Sequence, residues 1–123
     1  MKPCLIPTLI LLTLLACNIG SQPQPVGPTR AELCRALGRD LQTDQLCESG
    51  DGLKQLLEAS FPPKVATKDE VSSRLGQYLL DSHLRAIGGT SETYVIEKGI
   101  FTPVIAIFSF DKEGILVSIT IED

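Results

Sequence analysis

Thr102-Pro103-Val104-Ile105-Ala106-Ile107-Phe108-Ser109-Phe110-Asp111-Lys112-Glu113-Gly114-Ile115-Leu116-Val117-Ser118-Ile119-Thr120-Ile121 decides the fold of this chain. Two runs rich in β-branched and aromatic residues flank a four-residue connection that ends in glycine, and that pattern specifies an antiparallel hairpin. The first strand is expected from about Thr102 to Phe110, with Pro103 at its beginning, where a missing N–H costs no ladder bond. Strict alternation puts Val104, Ala106, Phe108 and Phe110 on one face and Ile105 and Ile107 on the other. The second strand, Ile115 to Ile121, alternates likewise, with Ile115, Val117, Ile119 and Ile121 on one side and Leu116, Ser118 and Thr120 on the other. Upstream, Thr93, Tyr94, Val95 and Ile96 give a third strand between Glu92 and Glu97, followed by a turn at Lys98-Gly99.

Before Gly88-Gly89, a firm break, the periodicity changes from two to about 3.6. Thr67-Lys68-Asp69-Glu70 has the spacing of a capping box, with two acids where the helix dipole favours them. Val71, Leu75, Tyr78 and Leu79 continue an apolar face. Gly76 either ends that helix as a left-handed cap or sits inside one that runs to about Leu80. Asp51 is positioned to cap an earlier helix through about Ser60. Its stripe is Leu53, Leu56, Leu57 and Phe61, and Pro62-Pro63 stops it. Thr29 and Glu32 form another capping box, opening a short helix with Leu33, Cys34, Leu37 and Leu41 near one face and an end near Gly38. Gln42 to Gly50 reads as loop or a short turn. The expected architecture is α+β: N-terminal helices packed on one face of a three-stranded antiparallel β-meander.

The first residues have a different character. One positive charge at Lys2 precedes an apolar core from Leu5 to Leu15, interrupted only by Pro7, Thr8 and Thr13. That core is shorter than the roughly 20 apolar residues a spanning helix needs, and it has the layout of an export signal. Leu14-Leu15-Ala16-Cys17 resembles the lipobox of a bacterial lipoprotein precursor. The resemblance implies cleavage before Cys17, a diacylglyceryl group on its thiol and an acylated amine, against the alternative of a chance cysteine behind an ordinary cleavage site. A single acyl chain anchors only marginally, whereas several on one residue anchor stably. Asn18 is not the aspartate that commonly retains such proteins at the inner membrane, so the expected address is the outer membrane. Asn18 to Pro28, with its prolines, glycines and glutamines, reads as a tether reaching up to about 30 Å. The chain thus divides into a signal at 1–16, a lipidated cysteine and tether at 17–28, and one small domain at 29–123.

Cleavage removes Lys2 and no acid, moving the formal charge from −4 to −5. That acidity argues against nucleic acid, whose binding rests on basic patches. Cys4 leaves with the signal and Cys17 carries lipid, so Cys34 and Cys47 remain as a pair in a compartment that permits disulfides. A bridge between them is worth about 3 kcal/mol by loop-closure entropy. A redox or metal role is disfavoured, since the spacing is not Cys-x-x-Cys and no histidine lies near.

Little else in the chain suggests chemistry. His83 is the single histidine. It has no partner at metal-ligand spacing and no serine–histidine–aspartate context, and Asp81 two residues earlier suits a local hydrogen bond. Gly88-Gly89 lacks the pattern of a phosphate loop. No enzyme activity, cofactor or metal is expected.

The order of motifs is similar to the BamE (SmpA/OmlA) lipoprotein domain over roughly residues 53 to 121. The carrying residues are Thr67-Lys68, Val71, Leu75-Gly76, Tyr94, and Ile107-Phe108-Ser109-Phe110-Asp111 with Gly114-Ile115-Leu116. The resemblance implies two helices on a three-stranded antiparallel sheet and a non-catalytic role in the machine that inserts β-barrel proteins in the outer membrane. No binding residue is carried over. A tethered ligand-binding or inhibitor module, capturing a soluble protein in the periplasm or at the cell surface, is the alternative. The sheet's second face poses a further alternative, a binding face against ordinary surface exposure of a few apolar residues. Ile105, Ile107 and Leu116 are expected there, either covered by the chain's own N-terminal segment or left for a partner.

Overall fold

The computed structural model describes residues 27–48, 52–99 and 101–123. Among these residues four short helices precede the sheet: α1 (Arg30–Ala36), α2 (Gln45–Glu48), α3 (Leu53–Ser60) and α4 (Lys68–Leu75). The sheet follows as β1 (Leu79–Leu84), β2 (Thr90–Glu97), β3 (Val104–Phe110) and β4 (Leu116–Glu122), in the order β1-β2-β3-β4 with every pairing antiparallel. The α+β class and the helices-then-meander order are as expected; the sheet has four strands rather than three. The expected signal peptide, Cys17 and most of the tether lie outside the described residues.

Helix α1 starts where its capping box places it: the Thr29 N–H donates to Glu32 Oε1 at 3.0 Å and the Glu32 N–H to Thr29 Oγ1 at 3.1 Å. It ends in a Schellman motif at Gly38, whose φ of 69° glycine adopts without strain. The Arg39 N–H reaches the Cys34 carbonyl at 2.8 Å and the Gly38 N–H the Arg35 carbonyl at 3.0 Å. Leu41, expected on the apolar face of this helix, therefore falls beyond it and is exposed. The one-turn helix α2 occupies part of the expected loop. Cys47 on α2 is bonded to Cys34 on α1, with Cα atoms 6.0 Å apart and both side chains fully buried.

Two arginines fasten this disulfide-linked corner. Arg30 donates from Nε to the Cys47 carbonyl at 3.0 Å and from Nη2 to the Leu46 carbonyl at 2.7 Å, and it lies 3.5 Å from Glu97 at the end of β2. It thereby answers the free carbonyls at the C-terminus of α2 and ties that turn to the sheet. Arg39 pairs with Asp44 and donates to Ser60 Oγ at 2.9 Å, joining the end of α1, the start of α2 and the end of α3. Helix α3 begins from Gly52 without a side-chain cap; the expected cap, Asp51, lies outside the described residues. At α4 half of the expected capping box forms: the Thr67 hydroxyl accepts from the Glu70 N–H at 3.2 Å, while the Glu70 carboxylate takes a hydrogen bond from that hydroxyl at 3.3 Å and not from the Thr67 N–H.

Gly76 proves to be neither of the alternatives posed for it. Its backbone is right-handed helical, α4 ends at Leu75, and a 3₁₀ turn over Gly76–Tyr78 leads directly into β1. Leu-Leu-Asp-Ser-His-Leu has no β-branched or aromatic residue, so its own preferences do not announce a strand. Pairing with β2 makes it one.

The hairpin that anchors the fold is as read. Asp111 Oδ1 accepts from the N–H groups of Glu113 and Ile115 at 3.0 and 2.9 Å, and Gly114 turns the chain at φ 82°. The register then departs from strict alternation, because Ser109 faces Ser118 while Phe110 faces Leu116, leaving one extra residue in β4. This bulge moves Leu116 to the helix-covered face, where it is fully buried beside Ile119, and turns Val117 outward. The expectation of Leu116 on the second face and of Val117 alongside Ile119 is thereby corrected. Strand β4 is further held by Ala66, whose carbonyl accepts from the Leu116 N–H at 2.8 Å, and by Lys64, whose N–H donates to the Leu116 carbonyl at 2.7 Å.

Phe108 centres the core. Phe61 from α3 and Tyr94 from β2 meet its ring edge-on at centroid distances of 5.9 and 5.3 Å, an arrangement that suits the aromatic quadrupoles. Leu33, Leu37, Leu53, Leu56, Leu57, Val71 and Leu75 close over it from the helices. One polar group is buried among them. Tyr94 donates its hydroxyl to Glu92 Oε1 at 2.6 Å, so the carboxylate, 6% exposed, is met by a hydrogen bond. Burial, followed by the neighbouring carboxylate, pushes the Tyr94 phenol well above its ordinary range.

Candidate functional site

Pairing places side chains in rows across the uncovered face of the sheet. His83, Ser91, Ser109 and Ser118 form one row, Asp81, Thr93, Ile107 and Thr120 the next, and Val95, Ile105 and Glu122 the third. Five of these eleven side chains bear hydroxyls, and the three aliphatic ones lie in the second and third rows. The expected covering by the chain's own N-terminal segment is realised at one corner, where Gly27 packs over Val95, which is 2% exposed. Ile105 and Ile107 are half-buried.

His83 makes the local contact anticipated for it, with Nε2 2.6 Å from Asp81 Oδ2. Both side chains are more than half exposed. Ser91 stands opposite His83, and among the described residues no hydrogen bond joins them. Among the described residues no three histidine, cysteine or acidic side chains come together as metal ligands would. An apolar cleft of about 300 Å³ opens between the β1–β2 and β3–β4 turns, with Ile87, Phe110 and Val117 along it and Arg85 and Lys112 at its margin. It holds no histidine, cysteine or serine.

The feature that sequence reasoning missed is β1 itself. All six of its residues are exposed, including Leu79, Leu80 and Leu84, and no described residue pairs with its outer edge. An unpaired strand edge offers alternating donors and acceptors to any extended segment that reaches it. Strand β1 carries no lysine or proline; of the devices that commonly defend an edge it has an irregularity between Leu79 and Asp81. Its exposed leucines supply apolar area beside those hydrogen-bonding groups. The opposite edge, β4, is already engaged at Leu116 by Lys64 and Ala66.

Fold and surface together define a small α+β domain with an exposed strand edge that no described residue pairs. Comparison with family models, curated proteins and solved structures finds no match to this chain.

Proposed function

We propose that the chain is a lipid-anchored, non-enzymatic lipoprotein of the bacterial envelope, held by acylated Cys17 at the outer membrane and working there through protein contacts in assembly or maintenance. The bare β1 edge carries the protein-contact half of this reading: among the described residues it is the one strand edge left unpaired along its length beside exposed leucines. The lipobox-like Leu14-Leu15-Ala16-Cys17 carries the anchor. A bonded, fully buried Cys34–Cys47 pair supports an oxidising compartment such as the periplasm. The resemblance to the BamE domain supports outer-membrane assembly as the setting, although the fourth strand exceeds the three that resemblance implies.

The same edge would serve a tethered module that captures one soluble protein. Cross-linking in intact cells, from a photoreactive residue at Ser82 in the wild type and in a Cys17→Ala form, separates the two. The proposal expects barrel-assembly components attached to the wild type and far fewer attached to Cys17→Ala. One soluble partner recovered equally from both forms would replace assembly by capture.

A further inference from the structure

We propose that β1 is the seam of a two-fold dimer, in which the same strand of a second copy of this chain pairs antiparallel with it, Ser82 against Ser82. The inference rests on the protein-contact reading of β1 and deepens it by naming the occupant: a second copy holds the edge until another partner displaces it.

The direction in which the edge groups point limits what can pair with them. The Arg85 N–H donates to the Gly89 carbonyl at 2.7 Å, one step beyond the pairing of Leu84 with Thr90. In an antiparallel ladder, pairs bonded through the main chain alternate with pairs that are not. The main-chain groups of His83 therefore turn toward β2, and those of Ser82 and Leu84 turn away from it. The Ser82 N–H agrees, since it donates to Asp81 Oδ1 at 2.8 Å. An incoming strand must meet Ser82 with a residue whose groups also face outward, which excludes a copy displaced by one residue. Every β1 side chain is exposed, so no described part of the chain blocks the approach.

The side chains then select one register. A two-fold contact must be self-complementary, and Leu80-Asp81-Ser82-His83-Leu84 has that symmetry about Ser82 in its own sequence. With Ser82 opposite Ser82, Asp81 faces His83 of the second copy, His83 faces its Asp81, and Leu80 faces Leu84 at both ends. Asp81 and His83 lie on the uncovered sheet face, in pairs unbonded through the main chain, where opposed side chains approach most closely. Within one chain His83 Nε2 already stands 2.6 Å from Asp81 Oδ2, so pairing gathers the acids and imidazoles of both copies into one cluster. The Ser82 N–H passes from Asp81 Oδ1 to the opposing Ser82 carbonyl, and that carboxylate oxygen is released toward His83 of the second copy. Displacement by two residues sets Asp81 opposite Asp81 in one direction and His83 opposite His83 in the other. The latter also brings Asp81 opposite Arg85, but it separates the leucines, and the Arg85 guanidinium is turned to the Phe110 carbonyl at 3.5 Å.

The full-length protein is purified, free of other proteins, from whichever cell fraction holds it, with one cysteine introduced along β1. Cys34 and Cys47 are bonded to each other, and the wild type controls for pairing through other cysteines. Opposed Cα atoms at about 5.5 Å are within disulfide reach, whereas two copies of Leu80, or two of Leu84, stand about 14 Å apart. Under mild oxidation Ser82→Cys is expected to give a disulfide dimer; Leu80→Cys and Leu84→Cys give none singly and one when mixed. Sedimentation of uncross-linked protein checks the side-chain pairs. His83→Asp lines the seam with carboxylates from both copies and is expected to raise the dimer dissociation constant about tenfold; adding Asp81→His in the same chain restores it. A monomer throughout, self-cross-linking of Asp81→Cys or His83→Cys, or equal cross-linking at every position overturns the seam. Each of those results leaves the envelope role standing, since that role is read from the partners recovered in cells. Recovery of the wild type in the soluble fraction overturns the anchor alone.

Discussion

Tyr94 and Glu92 show how one hydrogen bond decides whether a polar group can be carried inside so small a core. Replacing Tyr94 with Phe keeps the ring against Phe108 and removes the donor that meets the Glu92 carboxylate. The expected loss is about 1–3 kcal/mol, the cost of leaving a buried acceptor unmet, measured by denaturant unfolding. A second residue-scale test uses acid. Partial desolvation works against ionisation of Asp44, but the Arg39 guanidinium and the Leu46 N–H outweigh it and hold the carboxyl below its ordinary value. A folded-state pKa that is depressed contributes stability above the unfolded value, about 3.9, and that contribution is lost as pH falls through the folded value. The unfolding midpoints of wild type and Asp44→Asn should therefore differ most near neutral pH and converge below about pH 4. A constant gap across that range would assign the effect to packing.

At the scale of elements, what could be read from the sequence was whatever a few adjacent residues decide. Thr29 and Glu32 close a capping box wherever they stand, Asp111 to Gly114 reverses the chain by its own hydrogen bonds, and Cys34 and Cys47 form a pair once the compartment is given. The bulge in β4 and the existence of β1 depend on partners far along the chain. Val117 turns outward because Leu116 is held by Ala66 and Lys64, some fifty residues upstream. Leu79–Leu84 is a strand because β2 lies beside it. The surface most suited to binding went unseen for the same reason. Two predictions belong here. Replacing both Cys34 and Cys47 with Ala should cost about 3 kcal/mol, seen equally when the wild type is unfolded under reducing conditions. Lysine at Leu80 and Leu84 together should leave stability within about 0.5 kcal/mol while suppressing cross-links from Ser82, because exposed positions on an edge affect association more than folding.

For the whole molecule, the helices and the sheet share one centre, and Phe108 is where they meet. Phe108→Ala removes the ring that Phe61 and Tyr94 both address, and a loss of about 3–5 kcal/mol is expected by thermal or denaturant melting. In a domain of this size that is a large share of total stability, so partial unfolding at growth temperature is the practical readout.

The treatment of the two sheet edges carries a consequence for assembly. The segment around Lys64 and Ala66 already occupies the beginning of β4, and the far end of that strand carries Glu122 and Asp123, whereas β1 stands open along its length. A sheet receptive on one side and obstructed on the other accepts a guest without offering it a successor. On the anchored reading proposed above, strand addition at β1 would end after one event and give couples rather than fibres.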